Sequence, residues 1–204
     1  MSKSQLPDVC KDGRLFYNNG WMVGTAGNLS VREDDSSFWI TASGRAKGEL
    51  TPVDFLRVDL GGNVVEKHAE PDKPSAETAI HQVIYRHYPD AGAIYHVHSV
   101  EAMLVSTFTS AESIRLPAIE MIKGFNIWEQ EPEVDLWLLD NTLKVPVIAE
   151  TLDLRLQRNK PRINAALIRR HGITVWAPTP LGARHYIELI EFIFRYMVAE
   201  RRIR

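Results

Sequence analysis

Two of the chain's seven histidines, His96 and His98, are separated by a single valine in Tyr95-His96-Val97-His98-Ser99. The residues before them, Ala91-Gly92-Ala93-Ile94-Tyr95, are small and apolar and follow Pro89-Asp90, the pattern of a buried strand opening after a turn. Alternate residues of a strand face the same side, so the two imidazoles converge and make half of a divalent-metal site. A pair of solvent-facing histidines on an edge strand is the plainer alternative. A third imidazole would turn the half-site into a catalytic centre, since three histidines leave a fourth position for water or substrate. His171, in Arg169-Arg170-His171-Gly172 between two apolar runs, is best placed to supply it. His68, His81, His87 and His185 lie beside charges or on helix faces and read as surface or core-edge residues.

Two carboxylates stand where they can serve such a centre. Glu77 lies in the first turn of a helix expected behind Ser75, and Glu120 in Ala118-Ile119-Glu120-Met121-Ile122-Lys123-Gly124. A glutamate near a metal and a bound carbonyl compound acts as acid/base or as an extra ligand; a solvated face is the plain alternative for each. Three polar turns, Gly27-Asn28, Ser43-Gly44 and Pro74-Ser75, have backbone N–H groups of the kind that bind anions. Singly, each reads as an ordinary loop, and none matches a P-loop or a dinucleotide fingerprint.

The elements that must position these residues follow from periodicity. A helix is expected over Leu6 to Asn19, stopping at Asn18-Asn19-Gly20. Ala26 to Arg32 is a turn running into a strand, Phe38 to Thr41 pairs with it as a hairpin, and Leu56 to Leu60 and Val64-Val65 flank a Gly61-Gly62 turn. Ser75 is the expected cap of a helix whose apolar stripe is Ala76, Ala79, Ile80, Val83 and Ile84, with Glu77 and His81 one turn apart on another face. Further expectations are a helix over Val100 to Phe108, a helical turn around Ile119 to Lys123, a strand over Lys144 to Ala149, and a short helix over Thr151 to Arg158. Ala165 to Ile168 and Ile173 to Trp176 read as strands. From Pro180 on, Tyr186, Ile187, Ile190, Ile193, Phe194, Met197 and Val198 recur at helical spacing, with Leu189, Phe192 and Tyr196 on other faces. Such a helix needs cover on more than one side, from a deep core or a subunit interface.

The mixture of hairpins and helices, without a steady βαβ rhythm, predicts an α+β, layered αβα single domain over residues 1–204 with a largely antiparallel central sheet. The 204 residues, 45% apolar and 25% charged, are ordinary globular composition. A net charge of -2 without a basic stripe argues against a nucleic-acid partner. A lone cysteine, Cys10, forms no intramolecular disulfide and reads as a bystander. No stretch has the length of a membrane span or the look of a signal peptide, so no membrane partner and a cytoplasmic location are expected.

Taken together, Gly27-Asn28-Leu29-Ser30-Val31-Arg32, Ile40-Thr41-Ala42-Ser43-Gly44, Pro74-Ser75-Ala76-Glu77, His96-Val97-His98 and His171-Gly172 resemble the class II (zinc-dependent) aldolase family, in family order across most of the chain. Within it, Gly20-Trp21-Met22-Val23-Gly24-Thr25-Ala26-Gly27-Asn28 and Glu120-Met121-Ile122-Lys123-Gly124 are similar to the dehydratase branch of methionine salvage. The resemblance implies one Zn2+ per subunit on His96, His98 and His171, and a phosphate pocket lined by Asn28, Ser43, Gly44 and Ser75. It implies a homotetramer and a sugar-phosphate substrate. The reaction implied is dehydration of 5-methylthioribulose 1-phosphate to a 2,3-diketone through a metal-stabilised enediolate. The aldolases use the glutamate at the Glu77 position as acid/base, whereas the dehydratases use the one at Glu120, some of them with cysteine at the Glu77 position. This chain carries both; Glu120 is expected to transfer the proton, with Glu77 near the metal. Met121, Ile122, Phe125 and Trp128 are candidates for an apolar substrate pocket by position, with core packing the plainer reading. The alternatives implied by the same family are a sugar-phosphate aldolase or 4-epimerase, and a non-catalytic adducin-like binding module.

Overall fold

The structure is a computed structural model that describes residues 2–68 and 73–203. Runs of alternating or continuous apolar residues form the strands: β1 (Asn28–Asp34), β2 (Ser37–Thr41), β3 (Phe55–Asp59), β4 (Val64–Glu66), β5 (Ala93–Val97), β6 (Ser113–Arg115), β7 (Asp135–Leu139), β8 (Ala165–Ile168) and β9 (Gly172–Ala177). Among the described residues these nine make one sheet in the order β4-β3-β2-β1-β5-β9-β8-β7-β6. Every neighbouring pair is antiparallel except β7 and β8. The helices are α1 (Leu6–Asn18), α2 (Thr78–His87), α3 (Val100–Val105), α4 (Val145–Arg158) and α5 (Pro180–Ile203).

Strand alternation splits the interior in two. Leu29, Val31, Tyr95, Val97 and Val175 pack with Phe16 of α1 and Ile187 and Phe194 of α5. Ile40, Ile94 and Trp176 point the other way, onto Ile80 and Ile84 of α2 and Ile148 and Leu152 of α4. Helices thus cover both faces of the sheet, and the expected α+β, layered arrangement is what the chain adopts. His96 shares the parity of Ile94 and so faces α2 from the end of a central strand, fully buried.

Five elements differ from the expectation. Lys144 to Ala149 is not a strand: Val145 to Arg158 is one helix, with Pro146 in its first turn. Proline there lacks only an N–H that the helix would leave unpaired, and Ile148, Ala149, Leu152 and Leu156 make a single buried stripe, so helical period overrides local β-branching. β6 and β7 fall in segments with no strand assigned from the sequence. α2 begins at Thr78, not behind a Ser75 cap; Ser75 braces it through its Oγ, which accepts from the Glu77 N–H at 3.3 Å, and its carbonyl, which accepts from Thr78 Oγ1 at 2.7 Å. The helix after His98 ends at Val105, short of Phe108, and is capped by Ser99 Oγ accepting from the Ala102 N–H at 2.9 Å.

α5 buries Ile187, Ile190, Ile193 and Phe194 against the sheet and leaves Phe192 49% and Tyr196 38% exposed. Glu191 is buried on the same helix, and burial pushes its carboxyl up to about 8, against a smaller opposite effect from the Ser99 hydroxyl. In the unfolded chain that proton leaves near pH 4.3. Between roughly that pH and pH 8 the folded state therefore holds more protons, and stability falls as pH rises. Urea unfolding across this range is expected to show the decline in the native protein and a flatter profile in E191Q.

Candidate metal centre

The pairing of three central strands builds the site. β1 and β9 flank β5 so that Asn28, His96 and Thr174 stand opposite one another in a row. His98 lies just past the end of β5, its N–H donating to the Trp21 carbonyl at 2.8 Å. His171 enters from the β8–β9 hairpin, where Arg170 takes a left-handed φ of 50°. Glycine is required after it, since a Cβ at Gly172 would lie 2.2 Å from the Val97 carbonyl oxygen. Glu77 arrives at the start of α2, after a bridge between Ala42 and Pro74 and a hydrogen bond from the Ser43 N–H to the Lys73 carbonyl, 2.8 Å.

These elements bring Glu77, His96, His98 and His171 together, with one donor atom from each lying within 4.8 Å of all the others. His96 Nε2 is 2.7 Å from His98 Nε2, and Glu77 Oε1 is 2.7 Å from His171 Nε2 and 3.7 Å from His96 Nε2. His96 Nδ1 meets Thr174 Oγ1 at 2.9 Å, which orients the ring with Nε2 inward. Burial lowers His96 to about 4, against the charge of Glu77. Burial also lowers His98 to about 3, aided by repulsion from the other two imidazoles. Burial raises the Glu77 carboxyl, but His96, His171 and His98 together hold it below the usual carboxylate range. Three imidazoles and a carboxylate aimed at one point are a donor set for a divalent cation, so the residues present fit a metal. The arrangement brings together the three histidines and Glu77 expected from the sequence.

Of the residues assigned to an anion pocket, Ser43, Gly44 and Ser75 come side by side through the Ala42–Pro74 bridge, with Gly44 at φ 76°. Asn28 is engaged elsewhere: its side-chain N–H donates to Glu77 Oε2, and its Oδ1 lies 2.5 Å from His81 Nε2. Glu120 is outside the cluster. It opens a 3-10 turn (Glu120–Phe125), its side chain is 79% exposed, and it accepts from Lys123 Nζ at 2.9 Å. On that turn Ile122 and Phe125 belong to the core, Met121 is half-buried, and Trp128 beyond it is exposed.

Two residues near the centre were not singled out from the sequence. His81, read as surface or core-edge, is fully buried; the signal was its position one turn after Glu77 on the face away from the apolar stripe. Lys47 is also buried, its Nζ donating to the carbonyls of Thr25 at 2.8 Å and Arg45 at 2.9 Å. It ties the Gly24–Gly27 loop to the Ser43–Gly44 loop, and burial lowers it to about 8 against the pull of Glu77 and Asp54. His68 and His185 are exposed and His87 is half-buried, as expected, the last paired with Asp153 at 2.7 Å.

Residues 7–198 match the model of the Class II Aldolase and Adducin N-terminal domain. The chain belongs to this family. It is 51% identical over 191 residues to methylthioribulose-1-phosphate dehydratase of Microcystis aeruginosa, covering 94% of this chain and 93% of the relative. It is 38% identical over 207 residues to the dehydratase of the same name from Leptospira interrogans, covering 97% of this chain and 83% of the relative. Among solved structures it is similar to YgbL from Klebsiella pneumoniae, with a TM-score of 0.81, 26% identity, and 98% and 91% of the two chains covered.

His98→Ala removes one of three converging imidazoles. Metal analysis after dialysis is expected to fall from about one ion per chain to near none, with the far-UV circular dichroism unchanged.

Proposed function

We propose that the protein is a cytoplasmic, Zn2+-dependent hydro-lyase that converts 5-methylthioribulose 1-phosphate to 2,3-diketo-5-methylthiopentyl 1-phosphate in methionine salvage. The observation that carries this is the 51% identity with the Microcystis dehydratase over nearly the whole chain, in a molecule whose four-residue donor cluster is complete. A phosphorylated substrate does not cross a bilayer unaided, which supports a reaction inside the cell.

His96, His98 and His171 would hold the ion, with Glu77 as a further ligand. When bound, the ion supplies Lewis acidity to the C2 carbonyl of the ketose and so acidifies the C3 proton. Ser43, Gly44 and Ser75 would receive the phosphate, with the second amide hydrogen of the buried Asn28 as a further donor. Lys47 keeps those loops together and adds positive charge. Glu120 would take the C3 proton and return it to the departing C4 hydroxyl, which leaves as water; tautomerisation of the resulting enol gives the diketone. The carboxyl is 79% exposed and outside its own subunit's cluster, which supports delivery to the centre of a neighbouring subunit in a homotetramer. The exposed Phe192 and Tyr196 on α5 would be covered at such boundaries.

NMR of the purified protein with 5-methylthioribulose 1-phosphate is expected to show the diketone, and to show none after zinc removal. An aldehyde fragment instead would make the protein an aldolase, and inversion at C4 an epimerase. Absence of both turnover and bound metal would fit the adducin-like scaffold. E120Q is expected to lose about 10²–10⁴-fold in kcat with its metal content intact. Co-expressed E120Q and H98A, each inactive alone, are expected to form mixed oligomers with partial activity, because one subunit's Glu120 meets another's intact histidines. Mixed oligomers without activity would place the base within the subunit.

A further inference from the structure

The buried polar residues behind Glu77 form a single file. Tyr85 OH lies 2.9 Å from Ser30 Oγ, Ser30 Oγ 2.7 Å from His81 Nδ1, and His81 Nε2 2.5 Å from Asn28 Oδ1, while the Asn28 amide donates to Glu77 Oε2. Ser30 and His81 are wholly buried, and Asn28 and Tyr85 nearly so. We infer that Tyr85, Ser30 and His81, acting through Asn28, are positioning residues that hold the Glu77 carboxylate in its metal-facing orientation.

The direction of every bond follows from the Glu77 end. An ionised carboxylate only accepts, so Asn28 must turn its NH2 toward Glu77 and its Oδ1 toward His81. Nε2 of His81 must then carry the proton, which leaves Nδ1 as the acceptor for the Ser30 hydroxyl. Ser30 has one proton, and the 2.7 Å contact to His81 takes it in preference to the 3.4 Å contact with the Ile94 carbonyl. Ser30 Oγ therefore accepts from Tyr85. Burial keeps the His81 ring neutral, lowering it to about 3, and raises the Tyr85 hydroxyl, so each member stays in the state the chain needs. The far end is clamped, since Arg32 Nη2 donates to the Tyr85 carbonyl at 2.9 Å and its guanidinium lies 4.5 Å from the Tyr85 ring centroid. With Oε2 fixed, Oε1 is the free oxygen, and it faces His171 and His96. Outer-shell partners of this kind typically change metal affinity by about 10- to 100-fold.

The inference rests on the reading that the cluster holds a divalent ion. The test is Co2+ and Zn2+ affinity of the full chain, measured by competition with a chromogenic chelator after metal removal, beside thermal unfolding of the metal-free proteins. His81→Phe is expected to weaken binding about 10- to 100-fold. His81→Gln, which retains an N–H donor toward Asn28, is expected to recover most of that loss. In a Glu77→Gln background His81→Phe is expected to add less than about twofold, because its effect runs through the carboxylate. Tyr85→Phe, at the far end, is expected to weaken binding about three- to tenfold and likewise only when Glu77 is present. Unchanged affinity in a folded His81→Phe protein would overturn the inference, as would an equal loss with and without Glu77. If His81→Phe does not fold, the Tyr85 pair of measurements decides on the same terms. Failure of the native protein itself to bind either ion would instead overturn the metal reading, and the inference with it.

Discussion

The site depends on the register of β1, β5 and β9. A one-residue slip on either side of β5 would turn Asn28 away from Glu77 or part His96 from Thr174, which orients it. That register is secured by the core: Tyr95 and Val97 are committed to one layer and Ile94 to the other, so a shift would send each side chain into the layer that lacks its packing partners. The other donors come from turns at the same end of the central strands, and Gly172 holds one of them there by packing against the Val97 carbonyl. The three clustered histidines thus sit at or beside the ends of rigid strands and not on long loops.

Burying so many polar groups together is costly unless each finds a partner. Except at His171, whose Nδ1 is buried without a hydrogen-bond partner among the described residues, the centre meets that requirement with directional chains. Thr174 serves His96, backbone carbonyls serve Lys47, and the file from Tyr85 to Asn28 serves Glu77. The same low-polarity surroundings keep the His96 and His98 imidazoles neutral and thus available as ligands. Fold stability and metal binding therefore draw on the same buried contacts.

Much of this was legible in the sequence where local pattern and chemistry coincide. The His-x-His on an apolar strand, His171 before its glycine, and the helix from Pro180 are of this kind, and the layered fold followed from the mixture of hairpins and helices without a steady βαβ rhythm. What escaped was set by long-range contacts. Val145-Pro146-Val147-Ile148 looks like a strand until Leu152 and Leu156 extend its helical stripe. His81 shows in the sequence only its position one turn after Glu77, and its burial depends on partners such as Ser30, 51 residues away. Lys47 reads as a loop charge, and only the folded chain wraps carbonyls around it. Asn28, expected at a phosphate, turns out to be shared with Glu77, a contact across 49 residues.

Anomalous diffraction at the zinc edge from crystals of the zinc-loaded protein tests the central claim most directly. The account predicts a single strong peak per chain among His96 Nε2, His98 Nε2, His171 Nε2 and Glu77 Oε1, with Asn28 still on Glu77 Oε2. A peak held by other residues, or none at full zinc loading, would contradict it.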